Sequence, residues 1–171
     1  MTDQERAQLE RRAAGKSNKV AGSIFEQRIE RSLNWYTEKG LVIATKTPEP
    51  MKVIRPLAQG RFTACFVKKA QVDFSGTMKG GQAVRFEAKE TMTDRFTQDR
   101  VTPEQQEDLR RHGELGAFCF VLLSFGLGSV YRVPWQLWIN MKEHFGHKYV
   151  TESDLKKYIV PEECGILKIF V

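Results

Sequence analysis

The feature that most restricts the fold is a nearly continuous apolar run from Ala117 to Phe125, in a chain that is otherwise 28% charged. A run of this length and composition is typical of a β-strand that is buried on both faces. Such a strand needs other layers packed above and below its sheet. We therefore expect an α/β domain with a central, mixed sheet and helices on both sides.

Helical spacing precedes the sheet. Apolar residues recur every three or four positions between Val20 and Tyr36, which predicts an amphipathic helix that ends near Lys39-Gly40. Residues 1–17 are charged and prone to helix without an apolar face, so they are either a frayed helix or a flexible basic arm. We expect one domain over residues 18–171.

Short β-branched and aromatic runs follow this helix. The predicted strands, in order, are Leu41–Thr45, Met51–Arg55, Phe62–Val67, Ala70–Phe74, Ala83–Lys89, Ala117–Phe125 and Ser129–Val133. A turn that contains Gly76, Gly80 and Gly81 is expected to join the fourth and fifth strands. Thr102-Pro103 predicts the start of a helix to about Leu115, Pro134 the start of a Trp-rich helix, and Thr151–Asp154 a capping box before a last short helix.

Positive charge is concentrated in the middle of the chain. The net charge is +6, and residues 41–100 hold eleven Lys or Arg against six Asp or Glu. The hairpin expected at about 51–67 would project with basic side chains suited to DNA phosphates, or it would be a solvated strand pair guarded by lysines. The basic residues assigned to DNA are Lys52, Arg55, Arg61, Lys68 and Lys69.

Several classes of protein are disfavoured. The three cysteines show no close pairing, and Cys65 and Cys119 are expected to be reduced core residues. His144 and His147 lack the further ligands of a zinc site. Trp135 and Trp138 share a helical face and suit a core or dimer contact better than a base-stacking platform. No apolar stretch is long enough to span a bilayer, so we expect a cytoplasmic protein without membrane contact or a small-molecule cofactor.

The chemistry is indicated by Val72-Asp73-Phe74 followed by Phe86-Glu87-Ala88-Lys89. Side chains alternate across a strand, so Glu87 and Lys89 share one face while Phe86 and Ala88 pack in the core. A hairpin would bring Asp73 beside Glu87, and two adjacent carboxylates suit a divalent cation such as Mg²⁺. Lys89 would then stand beside a phosphate and the attacking water.

These segments resemble those of the RecU-type Holliday-junction resolvases, members of the PD-(D/E)xK nuclease superfamily. Phe86-Glu87-Ala88-Lys89-Glu90-Thr91 matches the family's segment without a gap, and Phe66–Gly76 looks like the stretch that leads into its first metal aspartate. Gln105, followed by the strand from Phe118, is similar to its glutamine-bearing helix. The likeness covers roughly residues 18–135.

The resemblance implies a restriction-endonuclease-like fold and a homodimer that cuts four-way DNA junctions symmetrically, in DNA recombination and repair, with Mg²⁺ or Mn²⁺. Asp73 and Glu87 would bind the metal and Lys89 would stabilise the transition state. Gln105 (or Gln106, one position on) and Glu26 would be further metal ligands, although Glu26 also suits a capping box with Ser23. The hairpin at 51–67 would be the family's stalk. Gln71 stands where the family tends to have threonine.

Two other functions stay open at this point. One is a nuclease of the same superfamily that acts on duplex or flap DNA, and the other is a DNA-binding recombination accessory protein without catalysis. The basic hairpin favours the branched substrate, and the intact Asp73, Glu87 and Lys89 favour catalysis.

Overall fold

A six-stranded mixed sheet forms the centre of the molecule, in the strand order β1-β4-β5-β7-β8-β10. The computed structural model describes residues 3–48, 50–66 and 71–170. The helices are α1 (Asp3–Glu38), α2 (Pro103–Glu114), α3 (Trp135–Ile139) and α4 (Met141–Phe145), and the strands are β1 (Val42–Lys46), β2 (Met51–Pro56), β3 (Phe62–Phe66), β4 (Phe74–Met78), β5 (Ala83–Thr91), β6 (Arg95–Thr97), β7 (Phe118–Phe125), β8 (Val130–Pro134), β9 (Tyr149–Thr151), β10 (Ile159–Val160), β11 (Glu162–Glu163) and β12 (Ile166–Leu167). Within these ranges no helix is both long and apolar enough to cross a bilayer.

The sheet separates two hydrophobic cores. On one face, Phe120 and Leu122 of β7 pack with the apolar side of α1. On the other face, Val121 and Leu123 pack with Leu109 of α2. Both sides of β7 are therefore buried, as its apolar run predicts, and the expected α/β architecture of a mixed sheet between helices is confirmed.

The first helix is longer than the sequence pattern predicts. It begins at Asp3 and continues to Glu38, through the boundary expected at residue 17. Ser23 and Glu26 therefore lie inside the helix, and the alternative of a capping box between them is wrong. The predicted apolar face is right for Phe25 and Ile29, whereas Val20 and Ile24 are 59% and 41% exposed, because the buried face at this end of the helix runs through Ala21 and Phe25.

The position of β4 corrects the sequence analysis. The strand begins at Phe74, so Asp73 lies just before it, and Gly76 belongs to the strand rather than to the turn. Gly76 has to be glycine because a Cβ at this position would lie 2.1 Å from the carbonyl oxygen of Ile43 in β1. The turn itself uses Gly80 and Gly81, whose positive φ values of 96° and 92° suit glycine.

Three further expectations change. Strands β2 and β3 pair as the predicted hairpin, but Cys65 is exposed there because no described side chain of the hairpin belongs to either core. Thr151 ends strand β9 and bonds to Asp154 without opening an α-helix. The Trp-rich segment forms the two short helices α3 and α4, in which Trp135 and Trp138 are buried core residues, as expected.

Candidate active site

Strand β5 delivers the two charged groups of the predicted motif to one face of the sheet. Val84 and Phe86 are fully buried on the α1 side. Alternation then turns Glu87 and Lys89 towards the α2 side, where their neighbours in the register with β7 are Val121 and Leu123. The expectation that Glu87 and Lys89 share a face is confirmed.

Asp73 is joined to Glu87 and to the next residue, Ala88, through two hydrogen bonds. The backbone N–H of Asp73 donates to Oε2 of Glu87 at 3.1 Å. In return, Oδ2 of Asp73 accepts from the backbone N–H of Ala88 at 3.0 Å. The carbonyl oxygen of Asp73 accepts from the N–H of Thr47 at 2.7 Å, which ties the end of β1 to the same point. The structure thus brings the two predicted carboxylates together.

Glu87 is a carboxylate with an exposed fraction of 0%. Its Oε1 atom accepts from Nζ of Lys89 at 2.5 Å and from Nε2 of Gln105 at 2.6 Å. Burial first, and then the negative charge of Asp73, raise the pKa of Glu87 to about 8, although the ammonium of Lys89 opposes the shift. A positive charge between the two carboxylates would therefore be strongly favoured.

Gln105 reaches Glu87 because it also closes the N-terminal cap of α2. Thr102 Oγ1 accepts from the backbone N–H of Gln105, and Oε1 of Gln105 accepts from the N–H of Thr102 at 3.0 Å. The cap occupies the amide oxygen, so the amide nitrogen faces Glu87. Gln106 donates instead to the carbonyl of Val101. Gln105 as a metal ligand stays a prediction, and it requires the amide to turn and leave the cap.

Glu26 is linked to this site through a cation that sequence reasoning did not place there. Nζ of Lys46 lies 2.5 Å from Oε2 of Glu26, and this hydrogen bond raises the pKa of Lys46, with a smaller contribution from the charge of Asp73. Lys46 reaches the site because β1 pairs with β4, opposite Phe74. Composition does not reveal this register, so the sequence alone could not identify Lys46 as a residue of the candidate site. Glu26 as a metal ligand stays a prediction.

The predicted DNA-binding side chains lie on the hairpin of β2 and β3. Lys52, Arg55 and Arg61 are all exposed, as are the apolar side chains of Ile54 and Phe62. Lys68 and Lys69 lie outside the described residues. Gln71, which stands where the resembled family tends to have threonine, is exposed. The hairpin therefore presents both cations and apolar groups to a partner.

The donor set fits a hard divalent cation. Among the residues described here, no three acidic, histidine or cysteine side chains converge. The site instead offers two adjacent carboxylates, and Mg²⁺ is commonly held by one or two carboxylates while it keeps several of its waters. The pKa of Glu87 is raised first by its burial and then by the like charge of Asp73, and a cation at this point would offset both effects.

Comparison with known proteins identifies the family. The model of the family described as "Recombination protein U" (RecU) matches residues 20–168, which is most of the chain. The chain belongs to the RecU family. This RecU chain is 29% identical over 120 residues to the Holliday junction resolvase RecU of Streptococcus sanguinis strain SK36, over 66% of this chain and 60% of that protein. It therefore spans about 60% of the length of that relative.

Two further proteins are similar. The Holliday junction resolvase RecU of Geobacillus kaustophilus strain HTA426 is 25% identical to this RecU chain over 147 residues, which are 80% of this chain and 73% of that protein. The solved structure of Hjc, a Holliday junction resolvase from Archaeoglobus fulgidus, has a TM-score of 0.47 and 15% sequence identity over 77% of this chain and 93% of its own.

Proposed function

We propose that this protein is a metal-dependent endonuclease that cuts four-way DNA junctions. The observation that carries the proposal is the interlocked pair of Asp73 and Glu87 with Lys89 on the same face, in a chain of the RecU family. Relatives with this family name are Holliday junction resolvases. The reaction is hydrolysis of a phosphodiester bond in the DNA backbone.

Mg²⁺ or Mn²⁺ is the proposed cofactor, with Asp73 and Glu87 as its protein ligands. Such an ion supplies Lewis acidity and lowers the pKa of water beside a phosphate. Burial of Glu87 and its three hydrogen bonds, from Asp73, Lys89 and Gln105, fix the direction of the carboxylate before any ion arrives. The protein therefore loses little conformational freedom when the site is filled.

Lys89 stabilises the charge that develops on the phosphate. Its side chain is 21% exposed, whereas that of Glu87 is fully buried, so the ammonium lies at the boundary between the core and the surface where DNA arrives. A fixed cation at this point attracts the backbone and offsets the extra negative charge of the transition state. Gln105 keeps Glu87 in place through the cap of α2.

The hairpin of β2 and β3 is proposed to enter the open centre of the four-way junction. Its exposed Lys52, Arg55 and Arg61 suit the phosphates that converge there, and Phe62, which is 53% exposed, suits unstacked bases. A duplex offers no such opening, so this hairpin favours a branched substrate. Two copies of the chain related by a two-fold axis would match the near two-fold symmetry of the junction and nick opposite strands.

A cleavage assay tests the function. Labelled four-way junction, flap and linear duplex are incubated with the protein in Mg²⁺, Mn²⁺, Ca²⁺ or EDTA, and we expect symmetric nicks in the junction with Mg²⁺ or Mn²⁺ only. Asp73→Asn should abolish cleavage but keep junction binding, while the matched control Asp99→Asn, at an exposed aspartate, should cleave as the wild type does.

Each alternative gives a different result in the same assay. Equal cutting of duplex or flap DNA would indicate a nuclease with another substrate. Junction binding without cleavage under every metal condition would indicate an accessory protein. Loss of binding in the triple variant Lys52→Gln, Arg55→Gln, Arg61→Gln, with a weaker dependence on salt, would support the role of the hairpin.

A further inference from the structure

On the same side of the sheet as the candidate active site lies a column of three stacked groups, which we call the Arg95 column: Arg95, Tyr149 and His147. The guanidinium carbon of Arg95 lies 5.2 Å from the centroid of the Tyr149 ring. The rings of Tyr149 and His147 are 3.9 Å apart and inclined by 9°. None of these three residues belongs to the predicted hairpin or to the predicted acidic motif.

The column lies on the outer face of the ribbon that β6 and β9 form. Phe96 pairs with Val150 in this ribbon, and both side chains are fully buried. Strand alternation turns Arg95 and Tyr149 to the opposite, outer side. Nδ1 of His147 shares a hydrogen bond of 2.7 Å with the carbonyl oxygen of Tyr149, which fixes the imidazole against the phenol ring.

Arg95 is held in place while its charge stays accessible. Its side chain is 53% exposed, and its Nε atom donates to Oδ1 of Asp94 at 3.2 Å. Among the described residues, its Nη1 and Nη2 atoms have no hydrogen-bond partner, so they are available to a ligand. An arginine normally loses much rotamer freedom when it binds a phosphate, and the Tyr149 ring removes part of that cost in advance.

The ribbon lies on the same side of the sheet as the candidate site. Phe96 packs on Phe125 of β7 at 5.0 Å, in the core that α2 covers. Arg100, just beyond β6, donates to the carbonyl oxygen of Glu90, which is the residue after Lys89. Lys89 and Arg95 are six positions apart in the sequence, so their Cα atoms lie at most about 21 Å apart, or about six nucleotides along a DNA strand.

We propose that the Arg95 column is a second DNA contact, in which Arg95 binds a backbone phosphate of the strand that passes strand β5. The inference rests on the proposed function, since it needs DNA at Lys89. Charge argues for a phosphate, because the cation that the column presents to solvent is the half-exposed guanidinium of Arg95. Within the column, both faces of the Tyr149 ring are covered, one by Arg95 and the other by His147, so a base has no access to it.

The test measures binding of a labelled four-way junction by fluorescence anisotropy in EDTA, over a series of KCl concentrations. Arg95→Gln should weaken binding about five- to tenfold and reduce the slope of log K against log[KCl] by about 0.9, the value for one phosphate contact. Tyr149→Leu should weaken binding about threefold and leave the slope unchanged, because Arg95 keeps its charge but loses the ring that holds its guanidinium in place. Tyr149→Phe keeps the ring and should bind as the wild type does.

Two controls make the result specific. Arg31→Gln removes an exposed arginine from α1, on the other face of the sheet, and should leave the slope unchanged. Asp94→Asn removes the carboxylate beside Arg95 and should strengthen binding. Melting curves for every variant verify that each is folded.

The outcomes separate the two proposals. An unchanged slope in Arg95→Gln, or an equal change in Arg31→Gln, overturns the role of the Arg95 column. A loss of affinity in Arg95→Gln without any change of slope would indicate base stacking and also overturns it. The proposed function is judged independently, by junction cleavage in the wild type. If the wild type cleaves the junction but the slope does not depend on Arg95, only the role of the Arg95 column is rejected. If the slope depends on Arg95 but the junction is not cleaved, only the proposed nuclease activity is rejected.

Discussion

Gln105 donates its side-chain amide to the fully buried carboxylate of Glu87 at 2.6 Å, across the gap between helix α2 and strand β5. The same amide accepts from the N–H of Thr102 through its oxygen. One side chain thus joins the start of a helix to the group that we propose binds the metal. Any change that loosens the first turn of α2 therefore disturbs the position of the Glu87 carboxylate.

Gln105→Leu should remove both of these contacts. We expect the free energy of unfolding to fall by about 2 kcal/mol, because a buried carboxylate oxygen and a cap N–H lose their partners. Junction cleavage should fall roughly 10- to 100-fold, the usual range for groups that orient a metal ligand. Urea denaturation and single-turnover cleavage measure the two effects.

Gln106→Leu is the matched control, since it removes only the hydrogen bond to the carbonyl of Val101. It should cost about 1 kcal/mol and leave the cleavage rate near that of the wild type. A larger loss of cleavage in Gln106→Leu than in Gln105→Leu would show that Gln106 is the functional glutamine.

Lys89→Met removes the ammonium that donates to Oε1 of Glu87. We expect the metal-free protein to lose unfolding free energy mainly above pH 8, where Glu87 is ionised and lacks its partner, and to lose less at pH 6, where Glu87, whose pKa is raised to about 8, takes up a proton instead. Added Mg²⁺ should then raise the melting temperature of Lys89→Met more than that of the wild type, since the ion replaces the missing cation. Differential scanning fluorimetry in EDTA and in Mg²⁺ measures this difference. Lys89→Arg, which keeps the charge, should resemble the wild type; equal stability of all three proteins in EDTA would contradict the pairing.

Gly76→Ala tests the close approach of β1 to β4. A Cβ there would lie 2.1 Å from Ile43 O, so β1 has to move, and we expect a loss of about 3 kcal/mol or more in unfolding free energy. Gly22→Ala, inside α1, meets nothing within 4 Å and should stabilise the protein by about 0.5–1 kcal/mol. Urea denaturation of the two variants measures both effects. An unchanged free energy of unfolding in Gly76→Ala would show that β1 is free to shift.

The three thiols should differ in reactivity. Burial first, and then the charge of Asp108, raise the pKa of Cys119 to about 11, while Arg85 opposes the shift. The thiolate is the reactive form, so at pH 8 very little of Cys119 is ionised and the thiol is also covered. A thiol-disulfide reagent in the native protein should therefore modify the exposed Cys65 and Cys164 quickly and Cys119 only after unfolding. Rapid modification of all three, monitored by mass spectrometry, would contradict the burial of Cys119.

The sequence predicts best where one physical requirement dominates. The run from Ala117 to Phe125 required a strand buried on both faces, and the alternation around Phe86 placed Glu87 and Lys89 together; the structure confirms both predictions. Thr102-Pro103 marked the start of α2 because a hydroxyl cap and an early proline act locally. These signals need no knowledge of the rest of the fold.

The predictions from sequence failed at residues whose surroundings are set by a contact with a distant part of the chain. Gly76 resembled a turn residue because the close approach of Ile43 comes from another strand. Cys65 resembled a core residue because an apolar strand in a projecting hairpin has the same composition as a buried one. Lys46 was counted only as part of a basic segment, since its place beside Glu26 follows from the pairing of β1 with β4.

The parallel pairing of β5 with β7 has a consequence for how the protein is made. Parallel neighbours require a crossover, and here the crossover holds α2, so Glu87 gains Gln105 and its covering strand only after the chain has been synthesised through Phe125. A nascent chain that has left the ribosome only as far as β5 carries both carboxylates but has neither their support nor their burial. We therefore expect the acidic groups to stay hydrated, and the site to be inactive, until the crossover has closed over them.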